Sequence, residues 1–73
     1  MIELNKEQIE RLYDVFDFEE YEEIVSATIE SERGGWMDIN YIDHKDCAIG
    51  CYKPYLAKHL QEDLHKVNFI ING

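Results

Sequence analysis

Three residues of zinc-ligand type fall within eight positions, His44-x2-Cys47-x3-Cys51, and His59 and His65 stand downstream as candidates for a fourth ligand. The spacing is not that of paired zinc knuckles. If residues 47–52 form a strand, Cys47 and Cys51 share a face but stand about 13 Å apart, too far to hold one ion. A turn or helix there would bring them together. Two small buried thiols are the alternative. The same residues contain a Cys-His pair of the kind that activates a nucleophile. No Gly-rich anion loop, G-x-S-x-G elbow or H-E-x-x-H accompanies it, so the sequence assigns no catalytic residue, no cofactor and no enzymatic activity. Asp38, Asn40 and Asp43 have calcium-ligand chemistry, but Ile39 and Tyr41 alternate with them, as on the solvent face of a strand.

The densest chemical feature is acidic. Asp14, Asp17, Glu19, Glu20, Glu22 and Glu23 place six carboxylates within ten residues, interleaved with Tyr13, Phe16, Phe18 and Tyr21. On a helix such charges would recur about every 2.5 Å, comparable to the roughly 1.7 Å per charge of duplex DNA. Crowding of like charges costs folding stability. Aromatics beside carboxylates suit a protein interface, in which charge steers the encounter and rings anchor it. Tyr13, Tyr21 and Trp36 are the candidate anchors, with Asp14, Asp17, Glu19, Glu20, Glu22 and Glu23 as the charged partner-binding set. The alternative is an acidic face kept for solubility, with Trp36 in the core.

The elements that would position these residues follow from pattern. Asn5 and Gln8 have capping-box spacing, and Ile9, Leu12, Val15 and Phe16 recur at helical intervals, which predicts a helix over 6–16. Asp17 and Glu20 could cap a second short helix that buries Phe18 and Tyr21. The β-branched residues Ile24, Val25, Thr28 and Ile29 predict a strand, although helix could continue there. Glu32-Arg33-Gly34-Gly35 reads as a hairpin turn, and Trp36 to Tyr41 alternate as its second strand. After a turn at 43–46, residues 47–52 read as a third strand with Cys47, Ile49 and Cys51 on one face and Gly50 on the other. Pro54 suits the first position of a helix whose stripe is Leu56, Ala57, Leu60, Leu64 and Val67, followed by a short strand over 68–71. The expected fold is α+β: a small antiparallel sheet of three or four strands, built on a central β-hairpin, with an N-terminal and a C-terminal helix on one face.

Seventy-three residues, 45% hydrophobic, are expected to form a single domain over 1–73. The net charge of −9 is lopsided: residues 1–32 carry eleven acids against Lys6 and Arg11, and residues 33–73 carry five of each sign. Such asymmetry opposes direct binding to nucleic acid or an anionic membrane and favours a basic protein surface. No apolar run approaches the roughly 20 residues of a membrane span, and residues 1–5 lack the features of a secretion signal. Two cysteines are too few for a disulfide scaffold. Together these features predict a soluble protein of the reducing cytoplasm.

In size, acidity and lack of a catalytic signature the chain resembles the small inhibitors that phages and mobile elements encode against host defence nucleases, including anti-CRISPR and anti-restriction proteins that imitate DNA. The resemblance is one of composition over the whole chain and carries over no functional residue. It implies a non-enzymatic interaction protein that blocks a nucleic-acid-binding surface of a nuclease or regulator. The rival expectations are a small zinc-stabilised module on His44, Cys47 and Cys51, and an assembly subunit that self-associates through Trp36 or the hairpin.

Overall fold

The computed structural model describes residues 1–30, 35–57 and 59–73. Helix α1, Lys6–Val15, starts where Asn5 and Gln8 close a reciprocal capping box: the Asn5 side chain accepts from the Gln8 amide and the Gln8 side chain from the Asn5 amide, both at 2.9 Å. The helix stops because Phe16 turns extended, its amide donating back to the Leu12 carbonyl. Around it run four strands, β1 (Ile2–Glu3), β2 (Glu22–Glu30), β3 (Trp36–Asp43) and β4 (Ala48–Tyr52), and the chain ends in helix α2 (Gln61–Asn72). The strands form one antiparallel sheet in the order β1-β2-β3-β4. This is the expected α+β arrangement. The hairpin strands pair from Glu30 with Trp36 to Glu22 with Asp43, while the turn expected at Glu32-Arg33-Gly34-Gly35 lies outside the described residues up to Gly34.

Strand alternation separates an inner from an outer face. Ile24, Ala27 and Ile29 of β2 and Met37 and Ile39 of β3 are buried with Leu4, Leu12, Leu56 and Ile70 in one core, against which Ile9, Val15, Phe16, Phe18, Tyr41 and Val67 pack. Both helices therefore lie on the inner face. Leu12, Met37, Ile39 and Ile70 are fully buried, each contributing about 1.5–3 kcal/mol by leaving water. A bulge between Ile24 and Ser26 keeps the inward set of β2 in phase with β3.

Four expectations need correction. The second helix at Asp17 is absent: residues 17–21 form an irregular connection, and β2 begins at Glu22. Phe18 there packs edge-on against Tyr13, Tyr41 and Tyr52, at centroid distances of 6.0, 5.6 and 6.2 Å, a cluster that a helix crowded with like charges would forgo. Pro54 does not open a helix. The chain stays extended, Met37 donating to the Pro54 carbonyl at 3.0 Å and Leu56 to the Gly35 carbonyl at 2.7 Å, and α2 starts only at Gln61. Backbone pairing to β3 satisfies polar groups there that a helix would leave unpaired. Residues 68–71 are not a strand but the last turns of α2. Ile70 fills the core, and Arg11 donates to the carbonyls of Ile70 at 3.0 Å and Ile71 at 3.4 Å, at the end where the carbonyls of a helix lack donors. Finally, Cys47 belongs to the β3–β4 turn with φ 53°, and so does not share the face of Ile49 and Cys51.

Gly50 sits directly opposite Tyr41, whose ring lies across it: a Cβ at residue 50 would come 2.6 Å from Tyr41 Cε2 and Oη. The ring cannot swing away without leaving Phe18. Gly50→Ala is expected to destabilise the fold by about 1–3 kcal/mol through overpacking. Urea unfolding measures this, and an unchanged midpoint would show that the ring is not held there.

Candidate protein-binding surface at the acidic end of the sheet

The antiparallel register brings two acidic segments together. Because Glu22 pairs with Asp43 and Glu23 with Ile42, the connection entering β2 and the turn leaving β3 lie side by side. His44 donates its amide to the Tyr21 carbonyl at 2.8 Å, and its Nε2 stands 2.8 Å from Glu23 Oε1. Each segment is shaped by its own carboxylate. Glu22 Oε1 accepts from the Glu19 amide at 2.7 Å while the Glu22 amide donates to the Glu19 carbonyl at 2.9 Å. Asp43 Oδ1 accepts from the amides of Lys45 and Asp46 at 2.9 and 3.0 Å, an Asx turn that fixes the β3–β4 reversal.

The result is a sheet end where Glu19, Glu20, Glu22, Glu23, Asp43 and Asp46 lie on the two adjoining segments with His44 and Lys45, Asp17 shares a cleft with Glu22, and Lys6 of α1 shares one with Glu23. Tyr21 sits in its middle, 37% exposed, with Lys45 Nζ 5.3 Å from the ring centroid. Partial desolvation raises the Tyr21 phenol above its ordinary value, and the charges of Glu19, Asp43, Glu22 and Asp46 raise it further, since each opposes a phenolate. Residues from both segments thus act on one ring.

Not every sequence-predicted site residue is here. Asp14 lies on α1 beside a shallow cleft with Glu62, His65, Lys66 and Phe69 of α2. The Tyr13 hydroxyl accepts from the Ile24 amide at 2.7 Å, tying α1 to the exposed margin of β2. Trp36, 44% exposed, stands at the other end of β3, about 23 Å from Asp43 along the strand. Glu22 and Glu23, neighbours in a strand, point to opposite faces. The six carboxylates of residues 14–23 are consequently not an evenly spaced helical row.

Asp43 and Asp46 were missing from the predicted acidic set. Counting back from the hairpin turn would have found them, since residues equidistant from the turn pair and 43 falls opposite 22 or 23. The zinc candidates are not assembled: His44 pairs with Glu23, Cys47 lies in the turn, and Cys51 is exposed on β4. Among the described residues no three His, Cys, Asp or Glu side chains are grouped as a metal ion would require. Asn40 bonds to Ser26, Asp38 stands 3.5 Å from Lys53 Nζ, and Asp43 is used by its turn, so the calcium-type set is dispersed. Among the described residues no helix is long and apolar enough to cross a membrane. No protein-family model, curated protein or solved structure matches this chain.

The raised Tyr21 pKa has a definite sign. The folded state holds the phenol proton more tightly than the unfolded chain, so this contribution is complete below pH 10, the ordinary tyrosine value, and is lost as pH rises through the folded value. Tyr21 should titrate above 10 by NMR of the tyrosine rings, and Glu19→Gln with Asp46→Asn should bring it back toward 10. Titration of Tyr21 at or below the ordinary value would show that the carboxylates do not converge on it.

Proposed function

We propose that this protein is a non-enzymatic interaction protein that binds and blocks a basic surface of a partner, the nucleic-acid-binding surface of a nuclease or regulator. The observation that supports this reading most strongly is the meeting of residues 17–23 with the 43–46 turn, which concentrates carboxylates from two segments around an exposed tyrosine. A partner groove shaped for phosphates offers Arg and Lys at similar density, and electrostatic steering speeds the encounter. Tyr21 supplies a flat anchor inside the charged rim.

The carboxylates form a compact end and not a rail, so the surface suits a localised basic pocket better than a length of groove occupied by duplex. Glu19, Glu20, Glu23 and Asp46 reach solvent and act directly. Glu22 and Asp43 are half-buried, shape the two segments and add to the field. Tyr13, Asp14 and Trp36 lie outside this surface.

The test is capture of partners from a lysate on the tagged protein at low and at high salt, with mass spectrometry of what is retained. A nucleic-acid-binding enzyme held at low salt and released at high salt is the expected result. Replacing Glu19, Glu20 and Glu23 by Gln and Asp46 by Asn should weaken that capture by about tenfold or more, a loss of at least about 1.4 kcal/mol. Equal capture by the neutralised protein would overturn the electrostatic reading.

A further inference from the structure

The two margins of the sheet are treated in opposite ways. Beside β2, β1 pairs with Ile29 and Thr28, Leu4 donates to the Ala27 carbonyl at 2.9 Å, and the Tyr13 hydroxyl takes the Ile24 amide. Where that cover ends, the strand is bulged between Ile24 and Ser26 and carries Glu22 and Glu23. These are the devices by which proteins keep a sheet margin from pairing with another chain. The β4 margin has neither cover nor bulge, and its one charge is Lys53 just past the strand. Ala48-Ile49-Gly50-Cys51-Tyr52 holds no charge, its register with β3 is unbroken, and among the described residues no other strand lies beyond it.

The register also says which backbone groups are free. Met37 donates to the Pro54 carbonyl and Leu56 to the Gly35 carbonyl, so residues 54 and 56 turn their polar groups toward β3. By antiparallel alternation residues 48, 50 and 52 do the same, whereas Ile49, Cys51 and Lys53 present amide and carbonyl outward. Pro54, with its nitrogen toward β3, does not guard the outer margin. Ile49 is 85% exposed, and Cys51 beside it is exposed too.

We infer that β4 is a pairing surface for a second copy of this chain, joined antiparallel about a twofold axis at Cys51 into one continuous sheet. In this register Cys51 faces its own counterpart, and Ile49 faces Lys53 of the second copy, whose aliphatic stem covers it. All three positions have outward backbone groups, so the ladder is hydrogen-bonded throughout. Charge selects this direction. One end of β4 adjoins the acidic turn with Asp43 and Asp46 and the other leads to Lys53, so antiparallel pairing sets opposite ends together, whereas parallel pairing would stack two acidic ends.

Light scattering during size exclusion of the full chain, from micromolar to millimolar concentration, tests this. The mass should rise from 8.7 kDa to twice that value. Ile49→Lys sets a lysine opposite Lys53 on both sides of the axis and should raise the dissociation constant by more than about tenfold, with an unchanged far-UV spectrum. A short bismaleimide should join two chains through Cys51 in Cys47→Ser and fail to do so in Cys51→Ser. A monomeric mass at every concentration would overturn the inference. So would a dimer that survives Ile49→Lys, or one cross-linked through Cys47 instead.

Discussion

The pairing of β2 with β3 is the constraint from which the rest of the structure follows. Its register lines up Ile24, Ala27 and Ile29 with Tyr41, Ile39 and Met37, one apolar face on which α1 and α2 rest. A shift of a single residue would turn that face toward solvent. The bulge near Ile24 is part of the same solution, because it restores the phase of Ile24 after Val25 and Ser26. On its other side β3 binds β4 and then the extended residues 54–56, so this one strand organises chain from Glu22 to Leu56. The acidic end is another product of it, since Glu22 and Asp43 meet only because the hairpin closes in this register.

Much of this was legible in the residues, for identifiable reasons. The Asn5 and Gln8 pattern is a local interaction and appears as read. The hairpin strands follow from β-branching, alternation and glycines at the turn, and the α+β class follows from their order. The misreadings arose where two local readings of one residue compete and distant contacts decide. Pro54 suits the start of a helix as well as an extended arm, and the carbonyl of Gly35 and the amide of Met37 decide in favour of the arm. Phe69, Ile70 and Ile71 favour a strand by propensity, yet the spacing of Val67, Ile70 and Ile71 fits one helix face, and contact with α1 settles it. At the candidate site the acidic composition of 17–23 was plain, but its neighbours in the 43–46 turn are set by pairing and not by nearness in sequence.

The molecule is polarised along its strands. At one end carboxylates from two segments surround Tyr21; toward the other stand Trp36, Lys53 and the exposed Tyr55, which bridges to Trp36. The charge of the described residues is therefore unevenly distributed along the strands. The helices add little to this polarity, since Lys66 lies near Glu62 and Asp63 and Arg11 is directed to carbonyls. The acidic end sits on an ordered support: Asx turn, strand pair and aromatic cluster hold its backbone, which under the proposed function spares the cost of ordering it on binding.

The contact between Arg11 and the last carbonyls of α2 also bears on how the chain reaches this state. The three strands of the meander join neighbours in sequence and can form early, each closing a short loop. The helix layer instead connects Gln8 and Arg11 with Ile70 and Ile71, closing a loop of some sixty residues at an entropic cost of about 3.6 kcal/mol in the ideal-chain limit. Until that clasp forms, Met37 and Ile39 lack part of their cover, and the sheet alone is an open, half-wet surface. The interior is sealed by a helix-to-helix latch that brings together the two ends of the described fold, the contact of longest sequence range in the helix layer.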